Sequence, residues 1–228
     1  MSYFAGSLVI ILCLISCALS AAVTLPFKSP TSTIFKGDIL QKRPSLLKPD
    51  GRPLGTAGVL LYTYSNGTPY ILLSRESDGT DKGTYSEFGG NLDLKADGTP
   101  ETFQDACIRE CDEESARLYK LTAEELSKGK IYFETTPKGR EIVLCLVETK
   151  RVYQSSDLRA AQKLLEDSHF KEKDALLWIK AADLLKGKGI DPESKTLITL
   201  RPFFRELLQK PEFRKLIEEL SDYQKIAA

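Results

Sequence analysis

The alternation of apolar and polar positions divides the chain into elements before any residue is assigned a chemical role. Ala57 to Tyr64 is a strand-like apolar run, Ser65-Asn66-Gly67-Thr68 carries the Asn-Gly signal of a tight hairpin turn, and Tyr70 to Ser74 is the returning strand. A polar loop rich in Asp and Gly follows, then Tyr85 to Gly90, which runs into a glycine pair. Thr99 as N-cap, Pro100 at the first helical position and acids in the early turns predict a helix from there to about Leu118. Ile131 to Thr135 and Glu141 to Glu148 read as strands around a Pro-Lys-Gly turn, Leu158 to Asp167 as a polar helix, and Ala175 to Ile179 as a strand containing Trp178. Leu200, Phe203, Phe204, Leu207 and Leu208, then Phe213, Leu216, Ile217 and Leu220, keep helical spacing and predict C-terminal helices packed on the sheet. This is an α/β (α+β) pattern with a mixed sheet in one domain, residues 56–228.

The N-terminal part differs. No Asp, Glu, Lys or Arg occurs before Lys28, and Ser7 to Val23 is apolar or small. Residues 1–22 therefore read as an export segment, short for a membrane span, with Ala18, Ser20, Ala21 and Ala22 suiting signal-peptidase cleavage near Ala21 or Ala22. A lipid on Cys17 after Leu14-Ile15-Ser16, retention as a membrane anchor, and a buried N-terminal helix are the competing readings. The first choice places the protein in a secretory or periplasmic location, with membrane contact only through this segment. Residues 23–55 look like an extended arm without a fold signal of its own.

Composition narrows the chemistry. Thirty-two basic residues balance thirty-two acidic ones, so no bulk field favours nucleic acid or an anionic membrane, and phosphate affinity must come from a local site. Removal of the leader leaves Cys107, Cys111 and Cys145, which do not make a disulfide framework and read as buried thiols. One histidine, His169, excludes a His-rich metal site; its neighbourhood reads as surface loop.

The helix before Leu118 holds the informative residues. At about 100° per residue, Glu110, Glu113 and Glu114 fall on one side, and Glu114 lies inside the apolar arc of Phe103, Cys107 and Cys111. Packing that arc brings carboxylates to the edge of a buried surface, where crowded charges need protons or a cation. Oxygen ligands at this density suit Mg2+ or Mn2+. Alone, the cluster reads equally well as a solvated acidic face partnered by Arg109, Arg117 and Lys120.

The wider pattern is Gly89-Gly90, then Glu101, seven residues, and Arg109-Glu110-Cys111-Asp112-Glu113-Glu114. It resembles the Nudix box, and Glu101 to Glu114 match that motif completely. Ten residues, Asn91 to Pro100, separate Gly90 from Glu101 where the family usually has five. Ala116 stands where the family has glycine, which predicts a helix that runs longer and returns Arg117 to the carboxylate side.

The resemblance implies a Nudix-like α/β/α sandwich with the catalytic helix after a Gly-Gly loop. It implies Glu110, Glu113 and Glu114 as ligands of Mg2+ or Mn2+, with the Gly90 carbonyl as a further ligand, and Glu110 as an alternative base. Arg109 pairs with Glu101; because eight helical residues span about 12 Å, Glu101 must bend back to reach it. A later acid before the Trp178 strand supplies the base in many members. Glu172 is best placed and Asp174 next, although both also fit surface acids. Arg75, at the end of its strand, either reaches substrate phosphate or base, or faces solvent. The implied activity is hydrolysis of a diphosphate bond in a nucleoside diphosphate linked to another moiety; the alternative is a catalytically weak nucleotide-binding or protein-interaction module. The partner is then a small-molecule nucleotide-type diphosphate, and oligomeric state is not readable.

Overall fold

A computed structural model describes residues 31–36 and 55–227, with side chains for 55–221. The expected leader, Cys17 and most of the expected arm lie outside the described residues.

Strand β1 is Thr31–Lys36, β2 Gly55–Ser65 and β3 Thr68–Glu76. The β2–β3 turn is the expected Asn-Gly hairpin: Asn66 and Gly67 both have positive φ, 45° and 78°, the conformation that a two-residue turn between right-twisted strands demands. Short strands β4 (Tyr85–Ser86) and β5 (Phe88–Asn91) precede helix α1 (Phe103–Glu114). Then come α2 (Ala123–Lys128), β6 (Lys130–Thr135), β7 (Glu141–Glu148), α3 (Ser155–Gln162), a 3-10 turn at Ser168–Lys171, β8 (Lys173–Lys180), α4 (Ala181–Leu185), α5 (Pro202–Leu207) and α6 (Pro211–Ala227).

All eight strands join one mixed sheet. Its path is β1-β6-β7-β2-β3-β4, with β5 on β2 and β8 on β3, and only β2–β7 is parallel. The first half of β2 (Thr56 to Val59) pairs with β5, and its second half (Tyr62 to Ser65) with β3. The sheet therefore splays beside the glycine pair.

Alternation sends successive side chains to opposite faces. Ala57, Val59, Leu61 and Leu72 meet Phe103, Cys107 and Cys111 of α1 and Leu158 of α3. Leu60, Ile71, Leu73, Leu144 and Leu146 meet Phe204, Phe213, Leu216 and Leu220 on the other face. The architecture is the expected α/β/α sandwich, with the C-terminal helices as one outer layer. Cys107, Cys111 and Cys145 are buried free thiols, as read from the sequence.

Three expectations change. The arm contributes an edge strand, since β1 pairs antiparallel with β6 from Thr31↔Thr135 to Lys36↔Lys130. Gly89 and Gly90 lie in strand β5 rather than in a loop: a Cβ at Gly89 would stand 2.7 Å from the Gly58 Cα, so glycine is what lets the two backbones approach. The helix expected at Leu158 to Asp167 sits earlier, because the Asp157 carboxylate accepts the Gln154 N–H at 2.7 Å and starts it at Ser155.

Candidate active site

Helix α1 begins later than Thr99 and Pro100 suggest. Thr102 is the N-cap: its hydroxyl accepts the Asp105 N–H, and the Asp105 carboxylate accepts the Thr102 N–H, each at 3.1 Å. Thr99 and Pro100 instead close the enlarged loop, where the Lys95 N–H donates to the Thr99 carbonyl at 2.7 Å and Leu94 bridges Pro100.

The helix also ends earlier than expected. Ser115 is its C-cap, and Ala116 and Arg117 turn into the left-handed region at φ 50° and 66°. Arg117 N–H donates to the Asp112 carbonyl at 2.7 Å and Ala116 N–H to that of Glu113 at 3.0 Å, which satisfies carbonyls that the helix leaves open. Ala116 thus adopts the left-handed conformation that glycine usually supplies. Arg117 lies 4.8 Å over the Phe170 ring, away from the three glutamates.

Glu101 sits just before the cap, and its side chain bends back. Arg109 grips it with Nε to Oε1 at 2.7 Å and Nη2 to Oε2 at 2.9 Å, while Nη2 also donates to the Asn91 carbonyl at 3.0 Å. The pair fastens the 91–101 loop onto the helix. Arg109 Nη1 donates to Glu110 at 2.7 Å and Glu113 at 3.0 Å, so a single cationic edge draws two of the three box carboxylates together.

Glu114, inside the apolar arc, is 4 % exposed, and Glu110, brought to the edge of the buried surface beside it, is 7 % exposed. The Glu110 carboxylate lies against Gly90, in the space that any side chain there would fill. Burial pushes the Glu110 carboxyl up to about 6 against the pull of Arg109. Burial raises Glu114 further, to about 8, although Lys173 opposes the shift. Both oxygens of Glu114 are engaged: Oε2 accepts the Gly89 N–H at 2.7 Å, and Oε1 pairs with Lys173 Nζ at 2.9 Å.

No protein-family model matches the chain, and no curated protein matches it. Among solved structures it is similar to the NUDIX domain of Shewanella oneidensis NrtR complexed with ADP ribose (TM-score 0.40, 15 % identity, 81 % of this chain and 97 % of that one). It is also similar to a C. elegans Ap4A hydrolase (0.39, 18 %, 75 % and 98 %). A MutT/nudix family protein from Enterococcus faecalis gives 0.37 at 15 % identity over 61 % of this chain, which spans about half, 47 %, of that protein.

The remaining sequence-assigned residues are less tightly gathered. Glu172 is half exposed and pairs with His169 Nδ1 at 3.3 Å, and its charge acts on Glu110. His169 is exposed, as expected. Arg75 belongs to a separate cluster, 2.7 Å from Asp174 and 3.2 Å from Asp191, with Tyr85 donating to Asp191 at 2.9 Å. It is neither a free solvent-facing arginine nor in contact with the box, and Asp174 is spent on it.

Four residues escaped the sequence reading: Glu76, Glu87, Lys173 and Arg201. Glu76 accepts from Lys173 at 2.5 Å and Arg201 at 3.3 Å. Glu87, two residues before the glycine pair, is buried; burial raises its carboxyl, and its Oε2 has no hydrogen-bond partner. Thr56 Oγ1 is likewise buried without a partner. Both residues line a cavity of about 460 Å³ bordered by Gly90, Arg140, Arg201 and Phe203. The position of Glu87 beside the glycines was a usable sequence signal, whereas Lys173 between Glu172 and Asp174 reads as a solvated charge run.

The donor set suits a hard divalent cation. Glu110 and Glu113 present carboxylate oxygens side by side, and Arg109 already holds the two near one positive group. With oxygens drawn to Arg109 and Lys173, no three His, Cys, Asp or Glu side chains among the described residues converge as a ready ligand group.

Proposed function

We propose that the chain is a metal-dependent hydrolase that cleaves the diphosphate bond of a nucleoside diphosphate linked to another moiety. The observation that carries this reading is the burial of Glu110 and Glu114 on one side of α1, against a glycine pair that borders the cavity. Two desolvated carboxylates beside a third are costly to a fold that merely solvates an acidic face.

Glu110 and Glu113 would hold Mg2+ or Mn2+ together with the Gly90 carbonyl. Glu114 lies on the same acidic side, with its oxygens already on Gly89 and Lys173. The bound ion would neutralise the diphosphate and make a water more acidic. Glu172 takes a proton from the attacking water, or Glu110 does so in place of holding the ion. The water oxygen bonds to phosphorus, the bridging P–O bond breaks, and its electron pair leaves with the departing phosphate. No covalent nucleophile is needed. In the cavity, Arg140 and Arg201 face the anionic part of the substrate, while Glu87 Oε2 and Thr56 Oγ1 take hydrogen bonds from the linked group. The apolar segment before Val23 exports the domain; N-terminal sequencing of the mature protein tests this part.

The test is a panel of nucleotide sugars, dinucleotides, CoA compounds and nucleoside triphosphates with Mg2+ or Mn2+. The expected result is turnover of at least one substrate, dependent on the ion and lost in Glu113→Gln. A second reading, a binding module without turnover, is favoured by the engagement of the box carboxylates by Arg109 and Lys173. Folded protein that retains a panel compound without cleaving it would establish the second reading instead.

A further inference from the structure

Strand β8 contains an irregularity at the point where it passes the acidic side of α1. Arg75 pairs with Ala175, but Glu76 pairs with Lys173, so Asp174 is an extra residue in the ladder. An extra residue reverses the facing of the side chains beyond it. Lys173 is thereby placed against Glu76 and Glu114 with a side chain that is 0 % exposed. The backbone there is fixed as well: Gln162 Nε2 donates to the Lys173 carbonyl at 2.6 Å and to that of Phe170 at 2.9 Å.

An ammonium shut away from water is costly unless its protons are used. Lys173 meets that requirement with two carboxylates, Glu76 at 2.5 Å and Glu114 at 2.9 Å. Glu114 in turn has its other oxygen on the Gly89 N–H at 2.7 Å. The contrast with Glu110 and Glu113 is one of access. Those two share Arg109, whose side chain is 29 % exposed, whereas the cation on Glu114 is enclosed by the fold.

We infer that Lys173 is a resident counter-cation that closes Glu114 to divalent metal, so that the chain binds one such ion, through Glu110 and Glu113, where removal of the lysine would admit a second. The inference rests on the metal-dependent reading above. It makes Lys173 a positioning residue: it determines how many ions the acidic face accepts and holds Glu114 on the Gly89 amide.

The test is equilibrium binding of Mn2+ alone to the full chain, read from the electron paramagnetic resonance signal of the free ion. Lys173→Met leaves buried carboxylates without their cation and is prone to unfolding, so the main variant is Lys173→Met/Glu76→Gln, which removes one charge of each sign. Wild type and Glu76→Gln are expected to bind one equivalent, and the double variant two. Glu114→Gln should leave wild-type affinity within about threefold, yet take the second equivalent from the double variant. Two equivalents on wild type, one on the folded double variant, or a loss of about tenfold or more from Glu114→Gln in wild type would overturn the inference. No binding to wild type with one equivalent on the double variant would support Lys173 as the block and overturn the metal-dependent function instead. No binding to any variant would remove both.

Discussion

Arg109 and Glu101 form a two-bond fork, Nε to Oε1 at 2.7 Å and Nη2 to Oε2 at 2.9 Å, across seven intervening residues and a helix cap. Glu101 also accepts the Asp93 N–H at 2.9 Å, so this one carboxylate closes both ends of the enlarged loop. Its geometry is specific to a planar guanidinium. Arg109→Lys should therefore fail to replace it. We expect a loss of about 3 kcal/mol from breaking a largely buried ion pair, seen as a lower chemical-denaturation midpoint with unchanged slope. Midpoints equal to wild type would show that the fork does not hold the loop.

Glu110→Gln and Glu113→Gln should each lower turnover of any substrate identified by about three orders of magnitude, because each removes an oxygen ligand while keeping shape. Circular dichroism and melting temperature should stay near wild type. Retention of full activity by either variant would exclude that glutamate from the metal set.

Acid–base behaviour gives an independent check. Burial lifts the Glu110 carboxyl to about 6 and that of Glu114 to about 8, so the folded chain retains protons that the unfolded chain releases near the ordinary carboxylate value. Without divalent ions, the stabilisation contributed by these two carboxyls should be fully present near pH 4.5 and decline as pH rises through 6 and 8, by roughly 2 kcal/mol for Glu110 alone. Mn2+ should offset the Glu110 part of the decline, since it binds only the ionised carboxylate there, and its affinity should rise through pH 6. Denaturation midpoints across pH, with and without Mn2+, measure both effects; a metal-free midpoint that climbs through this range would contradict the assigned burial.

Ala116 is 2 % exposed at φ 50°. Ala116→Gly gives up a buried methyl, about 0.8 kcal/mol, while relieving left-handed strain of roughly 1–2 kcal/mol, and the added backbone freedom of glycine offsets part of that gain. The net change should be small. Ala116→Val adds a β-branched side chain where that conformation is least tolerated and should cost about 2 kcal/mol or more. Thermal melts of the two variants distinguish strain from packing.

The legible parts of this chain are those whose meaning is local. Asn66-Gly67 names its own turn, Phe204 to Leu220 their own helical faces, and the spacing from Glu101 to Glu114 puts three acids on one side of α1 without knowledge of the rest. Misreadings arose where two local signals competed. Thr99-Pro100 and Thr102 with Asp105 both look like helix starts, and the second prevails because its reciprocal hydrogen bonds satisfy two amides. Strand β1 escaped because its pairing with β6 depends on residues about a hundred positions away. Lys173 escaped because the displaced register that turns it inward is a property of two strands, and no single-strand pattern records it.

Strand β1 also governs how the rest of the polypeptide joins the domain. Its first residue, Thr31, is opposite Thr135, and the next residue along, Thr136, lines the cavity. The start of β1 thus meets β6 one position short of the cavity wall, so loosening the Thr31–Thr135 pairing would be felt at a surface that a ligand touches.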